Sequence, residues 1–455
     1  MDLEDIRVEI VDHAESIQQA LTTGDRQGFR AVFFELHEYD QSVVYLALPT
    51  QLRHQIIEWV TPAELSNVFD ELDPEDVDLE HLLEEMAPRY VAEMLNAMYV
   101  DNAVDILTTL PADEVSMYLA FMGKADAAEL RHLMNYADDT AGALMTTEFV
   151  SVPVSITISQ AMAIVKKAAA ESEQIAYIYV LDGTNQLVGV LSLRSMILAS
   201  DDALVADIMD TNLITVGPND DQEDVAHIMA DYNFLAIPVV AKEHILGIIM
   251  IDDIVDVIDE EGAEDYSRLA GVDVVDLEES PFKSVIKRLP WLLALVFLGM
   301  GTATVIDQFE GLVQQASILA VFISLITGTA GNAGTQSLAV SIRRITLDEQ
   351  RGLGSMLLGE LLIGGLIGVT AGSTIFLVIL LWKANLLLGV AVGLAMAVAI
   401  LVANLAGAFI PLLMNALKVD PAVASGPFIS TLSDLTSVII YFNVAGFFLH
   451  HFAGL

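Results

Sequence analysis

Five long apolar runs after residue 281 constrain the fold of this chain more than any other feature. They cover about 290–310, 316–341, 353–382, 385–416 and 423–449, and each is long enough to cross a lipid bilayer as a helix. Because a backbone exposed to lipid must satisfy its own hydrogen bonds, runs of this length predict membrane-spanning helices. The sequence therefore predicts a multi-pass membrane protein with the lipid bilayer as a partner.

Basic residues near the ends of these runs predict the orientation of the helices. With the N-terminus in the cytoplasm, only Lys383 falls outside, and the other bases lie on the cytoplasmic side that Lys and Arg favour. We therefore expect an inner-membrane protein whose N-terminus is cytoplasmic and whose C-terminus is outside. The acidic N-terminus lacks an apolar core, so a cleaved signal peptide is not expected. The cytoplasmic bases are Lys283, Lys287, Arg288, Arg343, Arg344, Arg351 and Lys418.

Charge divides the chain at the same place. Residues 1–280 hold 56 Asp and Glu against 12 Lys and Arg, whereas residues 281–455 hold 7 against 8. A polyanion lacks the basic footprint that nucleic acid requires, so nucleic acid is not expected as a partner. Cations are the expected partners, and adaptation to a salt-rich habitat is the alternative explanation of the acidity. Without cysteine, disulfides and thiolate metal sites are excluded.

Residues 1–140 predict an all-α, superhelical domain. Short amphipathic segments alternate with apolar-Pro-x-acid sequences, in which Thr61 and Asp73 are predicted N-caps with proline in the first helical position. The histidines lack ligand spacing, and the chain has no convincing nucleophile–base set. An enzyme is therefore not expected.

Residues 141–258 contain an internal repeat. Leu144-Met145-Thr146 corresponds to Ile208-Met209-Asp210, and 187–192 corresponds to 245–250. Each unit has the pattern strand-helix-strand-strand-helix. The pair resembles tandem CBS domains, α/β modules that often bind adenine nucleotides, so ATP is a candidate cofactor. The family signature, a hydroxyl residue and an Asp three positions later, is split here between Ser192 and Asp253. The nucleotide contacts that the resemblance implies are Tyr177, Ser192, Phe234 and Asp253.

An acidic helix follows the repeats. Asp253, Asp256 and Glu260 share one face of it, where like charges repel unless cations neutralise them. A solvated acidic face is the alternative interpretation. Carboxylates without His or Cys favour Mg²⁺ or Ca²⁺ over Zn²⁺.

The stretch from Asp420 to Asn443 predicts a membrane helix with one acid, Asp434, about halfway along. A carboxylate at that depth is costly unless it faces water, a cation or a partner, so it is a candidate ion site. An Asp paired internally for helix packing is the alternative. The hydroxyls of neighbouring Ser and Thr residues are expected around it, and Gly426-Pro427 predicts a bend or a break. These hydroxyls belong to Ser430, Thr431, Ser433, Thr436 and Ser437.

Small and polar residues also interrupt other spans. Thr327–Ser337 predicts unwound backbone that faces a water-filled path, with close helix packing as the alternative. In the fourth span, Asn404, Gly407 and Pro411 predict a kinked, partly polar helix. Glu360, near the cytoplasmic start of the third span, is either an interfacial acid or a gate or ion-exit site.

These motifs together resemble the MgtE family of magnesium channels over nearly the whole chain. They are TAGALMT at 140–146, the GTAGNAGTQS segment of the second span, NLAG at 404–407, DPA at 420–422 and TLSD at 431–434. The resemblance implies a multidomain homodimer: an acidic helical N-domain (1–140), tandem CBS domains (141–258), an acidic plug-like connecting helix (259–282) and a pore domain of five membrane helices (283–455).

The resemblance also implies the sites. Pore ion-binding residues are expected at Asp434, Asn332, Gly328 and Asn404. Asn233, before Phe234, stands where the family often has an acid. The implied regulatory Mg²⁺ ligands are Asp101, Glu223, Asp253, Asp256, Glu261, Glu264, Asp265 and Asp420.

The expected function is that of a Mg²⁺-selective channel that mediates uptake down the electrochemical gradient. Intracellular Mg²⁺ bound to the acidic cytosolic domains is expected to close it. One alternative is a divalent-cation carrier coupled to H⁺ or Na⁺, and another is a membrane-anchored CBS sensor that transports nothing. Mn²⁺ and Co²⁺ are alternative ions.

Overall fold

The computed structural model describes residues 3–74, 77–169, 175–271, 281–346, 353–418, 426–448 and 450. The chain forms two compact units, Met1–Ile258 and Asp259–Leu455. The first contains the helical N-terminal region and the repeat, and the second contains the apolar helices.

Short helices form the N-terminal region of the first unit. The Thr61 side chain accepts a hydrogen bond from the Glu64 amide, and Pro62 opens α5, so the predicted cap is confirmed. The predicted cap at Asp73 stays a prediction, because residues 75–76 lie outside the described residues; the next described helix, α6, is capped by Asp78. The helices are α1 (Leu3–Thr23), α2 (Arg26–Phe33), α3 (Glu38–Ala47), α4 (Thr50–Trp59), α5 (Pro62–Phe69), α6 (Leu79–Glu84), α7 (Pro88–Leu95), α8 (Val100–Thr109), α9 (Ala112–Phe121) and α10 (Asp126–Leu133).

The repeat folds into two small α/β modules. In the first, β1 runs parallel to β2, which is antiparallel to β3; in the second, β4 and β5 are antiparallel. The elements are β1 (Ser151–Pro153), α11 (Ile158–Ala168), β2 (Tyr177–Leu181), β3 (Leu187–Ser192), α12 (Leu193–Leu198), α13 (Val205–Ile208), α14 (Gln222–Tyr232), β4 (Ala236–Ala241), β5 (His244–Met250) and α15 (Ile251–Ala270).

The two modules exchange their leading segments. Thr146, which precedes the first module, pairs with Ile248 of the second, and Asp210, which precedes the second, pairs with Val190 of the first. The glycines of the repeat explain this exchange. A Cβ at Gly189 would lie 2.5 Å from the Met209 sulfur, and a Cβ at Gly247 would lie 2.5 Å from the Thr146 carbonyl oxygen. Each glycine therefore gives room to the segment that leads the other module.

Five helices of the second unit, among the residues described there, are long and apolar enough to cross a membrane, as the sequence predicts. They are α16 (Pro281–Gln308), α18 (Ala320–Thr346), α19 (Leu353–Lys383), α20 (Leu386–Ala416) and α21 (Gly426–Phe448), with α17 (Glu310–Gln315) and a 3₁₀ turn (Ser317–Leu319) between the first two. None of the described α16 residues is buried within this chain. The predicted fold class, an all-α domain, tandem α/β modules and a five-helix membrane domain, is confirmed.

The second span is a continuous helix through Thr327–Ser337, so the predicted unwinding is wrong and the alternative of close packing is right. Glycine and alanine are too small to keep a neighbouring helix away, and their backbone hydrogen bonds stay within α18. Pro411 likewise lies inside the continuous α20. Pro427 falls in the first turn of α21, where a proline is tolerated.

Candidate ion site and acidic cluster

Asp434 is half-buried on α21, opposite the glycine-rich part of α18. A Cβ at Gly331 would lie 2.8 Å from Ser430 Oγ and 3.7 Å from Asp434 Oδ1. Three residues further along α18, a Cβ at Gly334 would lie 2.9 Å from Ser433 Oγ. The glycines therefore let the backbone of α18 approach the Asp434 face of α21.

The hydroxyls around Asp434 divide into two groups. Thr431 donates to the Pro427 carbonyl at 2.9 Å and Thr436 to the Leu432 carbonyl at 3.1 Å, so both bond to their own helix. Ser433 and Ser437 are buried, and in the described ranges their oxygens have no hydrogen-bond partner. Their oxygens can accept a hydrogen bond from water or from a hydrated ion.

The predicted pore residues Gly328 and Asn332 lie one turn apart on α18, and both are exposed in this chain. Gln336 continues the same stripe one turn later and is also exposed. Nothing lies within 4 Å of a Cβ built at Gly328. Amide side chains are costly against lipid, so this polar stripe requires water, an ion or a protein partner.

The predicted pore residue Asn404 has a different environment from the other three. It is buried on α20, and its amide nitrogen donates to the Glu360 carbonyl at 3.1 Å and to Glu360 Oε2 at 2.8 Å. Ser337 also donates to Glu360 Oε2, at 3.0 Å. Asn404 therefore belongs to a polar contact between helices of this chain, and its ion-binding role stays a prediction.

The first unit holds an acidic cluster around the predicted regulatory residue Asp101. Burial, with a contribution from the charge of Asp252, raises the pKa of Asp101 to about 6. Burial and the nearby acids raise the pKa of Asp70 and that of Glu148 to about 7. Asn102 donates to Asp70 at 3.2 Å. Glu148 Oε2 is buried and, among the described residues, has no hydrogen-bond partner. A cation bound near these carboxylates would offset the cost of burying their charge and would reduce the repulsion between them.

The other predicted regulatory acids lie mostly on α15. Asp253 accepts a hydrogen bond from the Met250 amide at 3.3 Å, and Glu264 pairs with Arg268 one turn later. Glu223, on α14, lies 3.7 Å from His227. Within the described ranges, no three His, Asp or Glu side chains group closely enough to hold a metal ion directly. Asp256, Glu261 and Asp265 are also on α15, and Asp420 lies outside the described residues.

The predicted nucleotide residues Tyr177 and Ser192 are direct partners on β2 and β3. The Ser192 and Ser195 hydroxyls lie 2.6 Å apart, so the Ser that replaces Asp completes a local helix cap. Phe234 stacks on Tyr232, with ring centroids 5.5 Å apart. Asn233 ends α14 in the left-handed conformation (φ 53°), which asparagine tolerates better than most residues.

Sequence reasoning missed three of the residues that these sites use. Asp70 and Glu148 join Asp101 only through tertiary packing, and Ser337 is one serine within a run of small residues. Neither acid has a spacing relative to Asp101 that would mark it, because the chain separations of 31 and 47 residues follow no helical or strand period. Ser337 lies in the segment that the sequence singled out, but its partner Glu360 is on another helix.

Comparisons with known proteins cover the whole architecture. Residues 36–139 match the MgtE intracellular N domain, 141–202 and 205–260 match CBS domains, and 323–444 match MgtE, a divalent cation transporter. A magnesium transporter MgtE of Enterococcus faecalis is 49% identical over 427 residues, which are 93% of this chain and 94% of the relative. The magnesium transporter MgtE of Thermus thermophilus is 35% identical over 443 residues, 95% of this chain and 97% of the relative.

Two solved structures resemble the cytosolic part. The soluble part of a magnesium transporter gives a TM-score of 0.55 at 42% identity and covers 56% of this chain and 100% of that one. The cytosolic domain of the Mg²⁺ channel MgtE in complex with ATP gives a TM-score of 0.50 at 33% identity. It covers 54% of this chain and 99% of that one. With its intracellular domains, five apolar helices and full-length relatives, this chain belongs to the MgtE family of magnesium transporters and is a multi-pass membrane protein.

Proposed function

We propose that the chain is a homodimeric Mg²⁺ channel whose ion site is built on Asp434. The observation that carries this proposal is a single acid in an apolar helix, held against the glycine-rich face of α18. The exposed stripe of Gly328, Asn332 and Gln336 supports a second protomer and a water-filled path between the two. The exposed helix α16 also offers surface for lipid or a partner.

Hydration chemistry indicates how such a site selects its ion. Mg²⁺ is small and gives up its water reluctantly, so the substrate passes in a largely hydrated form. Two carboxylates, one from each Asp434, would attract the dication and accept hydrogen bonds from its waters. Hydroxyl and carbonyl oxygens nearby extend this contact, so selection rests on the size of the hydrated ion. Mn²⁺ and Co²⁺ are the competing substrates.

Intracellular Mg²⁺ is proposed to close the channel through the acidic cluster and α15. The buried Glu148 Oε2, which has no hydrogen-bond partner among the described residues, and the raised pKa of Asp101 support a cation near these carboxylates. Contacts through water suit the described acids, since no three of them group closely enough for direct ligation. A cation bound there lowers the repulsion between acidic faces and favours the compact state by differential affinity.

The end of α15 connects this regulation to the membrane helices. A Cβ at Gly426, the first described residue of α21, would lie 3.2 Å from the Leu269 carbonyl oxygen and 3.2 Å from Thr335 of α18. Asp434 is eight residues further along α21, a rise of about 12 Å. A displacement of α15 would therefore act on the two helices that form the proposed ion site.

ATP is proposed as a ligand of the CBS modules, since a related cytosolic domain is described in complex with ATP. Ser192 on β3 and Asp253 on α15 offer a hydroxyl and a carboxylate of the kind that hold a ribose, one in each module. The cytoplasmic N-terminus and outside C-terminus of the proposed topology follow from the distribution of basic residues.

Mg²⁺ flux into proteoliposomes at an imposed membrane potential tests the proposal. We compare the wild type with Asp434→Ala and Asp434→Asn, and require that both variants stay folded and dimeric. Loss of flux in Asp434→Ala, with little recovery in Asp434→Asn, is expected because the carboxylate charge attracts the ion. Undiminished flux in Asp434→Ala would reject Asp434 as the ion site.

The same assay separates the rivals. Flux that follows the membrane potential alone, without a proton or sodium gradient, excludes a coupled carrier. Flux that requires one of these gradients would instead establish coupling. Absence of flux in the wild type would favour a membrane-anchored sensor.

A further inference from the structure

Glu360 is a buried carboxylate inside a membrane-spanning helix. It is 3% exposed and lies seven residues after the start of α19, a rise of about 10 Å. An acid at such a position is stable only when charge or hydrogen bonds compensate its burial.

Donors from two other helices contact the Glu360 carboxylate and offset the cost of its burial. Its Oε2 accepts hydrogen bonds from Ser337 of α18 at 3.0 Å and from Asn404 of α20 at 2.8 Å. Its Oε1 lies 3.5 Å from Arg344 Nη1, also on α18. Both oxygens therefore have protein partners, and the carboxylate connects α18, α19 and α20 rather than offering a free ligand to an ion.

These contacts lie about one helical turn from the close contact between Gly334 of α18 and Gly407 of α20. Ser337 follows Gly334 by three residues, and Asn404 precedes Gly407 by three. A Cβ at Gly407 would collide with the Gly334 carbonyl, and the other side of Gly334 faces Ser433 beside Asp434. In lipid, helices lack a hydrophobic driving force toward one another, so such hydrogen bonds and close contacts decide their relative position.

We propose that Glu360 is a positioning residue for the ion site. By holding Ser337 and Asn404, it fixes the axial position of α18 and α20, and so sets the distance between the Gly331 backbone and the Asp434 face of α21. Glu360 itself does not contact the ion. The role in transport rests on the proposed function of Asp434, whereas the role in helix position does not.

A cysteine cross-link measures helix position without reference to transport. The chain contains no cysteine, so Gly331→Cys with Ser430→Cys introduces the only pair. A Cβ at 331 would lie 2.8 Å from the oxygen at 430, a separation that suits a disulfide. We expect efficient oxidation in the otherwise wild-type protein, and a yield lowered to roughly half or less when Glu360→Leu displaces α18.

Transport measures the consequence in the cysteine-free protein. In Glu360→Leu, the Mg²⁺ concentration for half-maximal flux is expected to rise about tenfold, as for other residues that support a metal site. Glu360→Gln keeps an acceptor for Ser337 and Asn404 but loses the charge opposite Arg344, so intermediate values are expected. The matched control is Thr370→Ala on the same helix, since the Thr370 hydroxyl donates to the Leu366 carbonyl of its own helix; a wild-type cross-link yield and wild-type half-saturation are expected there.

Three results would overturn the proposal. They are an unchanged cross-link in Glu360→Leu, a reduced cross-link with unchanged half-saturation, and an equal effect of Thr370→Ala. If Glu360→Leu is not recovered as folded protein, Glu360→Gln is measured instead. A wild-type cross-link yield and a wild-type half-saturating Mg²⁺ concentration in Glu360→Gln would then count against the proposal. Undiminished flux in Asp434→Ala would instead refute the ion site, while the cross-link would still report on helix position.

Discussion

Gly407 of α20 packs directly against the backbone carbonyl of Gly334 on α18, so closely that neither helix has room for a side chain there. The backbone of Gly334 also faces Ser433 of α21. Three membrane helices thus meet around two glycines, next to the proposed ion site.

Gly407→Ala should destabilise the membrane domain. The added methyl would collide with the Gly334 backbone, and overpacking of this kind typically costs about 1–3 kcal/mol. Thermal unfolding of the detergent-solubilised protein measures the effect. Gly365→Ala on α19 is the matched control, because nothing lies within 4 Å of a Cβ there. Equal melting temperatures for the two variants would contradict the close contact.

Asp256→Ala combined with Glu264→Ala should leave Mg²⁺ flux intact at low cytosolic Mg²⁺ but weaken its inhibition at high Mg²⁺. Both acids lie on α15, and their removal takes away charge that bound cations would neutralise. Flux as a function of Mg²⁺ on the cytosolic side gives the half-inhibitory concentration, which should rise. Asp201→Ala with Asp202→Ala removes equal charge from an exposed loop of the first CBS module. A similar rise in that control would assign the effect to overall charge.

The stability of the cytosolic unit should increase as the pH falls from about 8 to about 5. Burial raises the pKa of Asp70 and of Glu148 to about 7, whereas unfolded Asp and Glu titrate near 4. The folded state therefore binds more protons in this window, and stability is lost as the pH rises through 7. Urea unfolding of a fragment of residues 1–271 measures the slope, which Asp70→Asn should reduce. Asp182→Asn should leave it unchanged, because the pKa of Asp182 is lowered.

Arg53→Ala should cost the same fragment about 3 kcal/mol, since it leaves a buried partner charge uncompensated. Arg53 pairs with Glu85, and it also donates to the Leu48 carbonyl at 2.8 Å. The side chains of this pair are 11% and 4% exposed. The exposed pair Arg89–Glu93 is the control, and Arg89→Ala should change the free energy of unfolding by less than about 1 kcal/mol. Equal losses would show that burial does not distinguish the two pairs.

The architecture could be predicted from the sequence because its signals are local or repeated. Hydropathy over about 20 residues marks each membrane helix, and the paired Leu-Met-Thr and Ile-Met-Asp segments mark the two CBS modules. The cap at Thr61 was predictable for the same reason, because a capping box extends over only four residues.

The contacts of the site could not be predicted, because they join residues far apart in the chain. Asn404 and Glu360 are 44 residues apart, and each alone resembles a polar residue beside a pore. The Thr327–Ser337 segment was misread because glycines favour both an unwound backbone and a close helix crossing. The close crossing is recognised only from Gly407 and Ser433, which lie opposite Gly334 once the helices have packed together.

The exchanged leading segments of the CBS modules bear on how this protein is synthesised. Thr146 must wait for Ile248 before its backbone pairing forms, so about a hundred residues have to leave the ribosome between the two partners. The Thr146 segment therefore stays unpaired while the first module emerges, and the pairing of the two modules is complete only when β5 follows. By then the first membrane helix is close to translation, so completion of the cytosolic unit and membrane insertion fall close together in time.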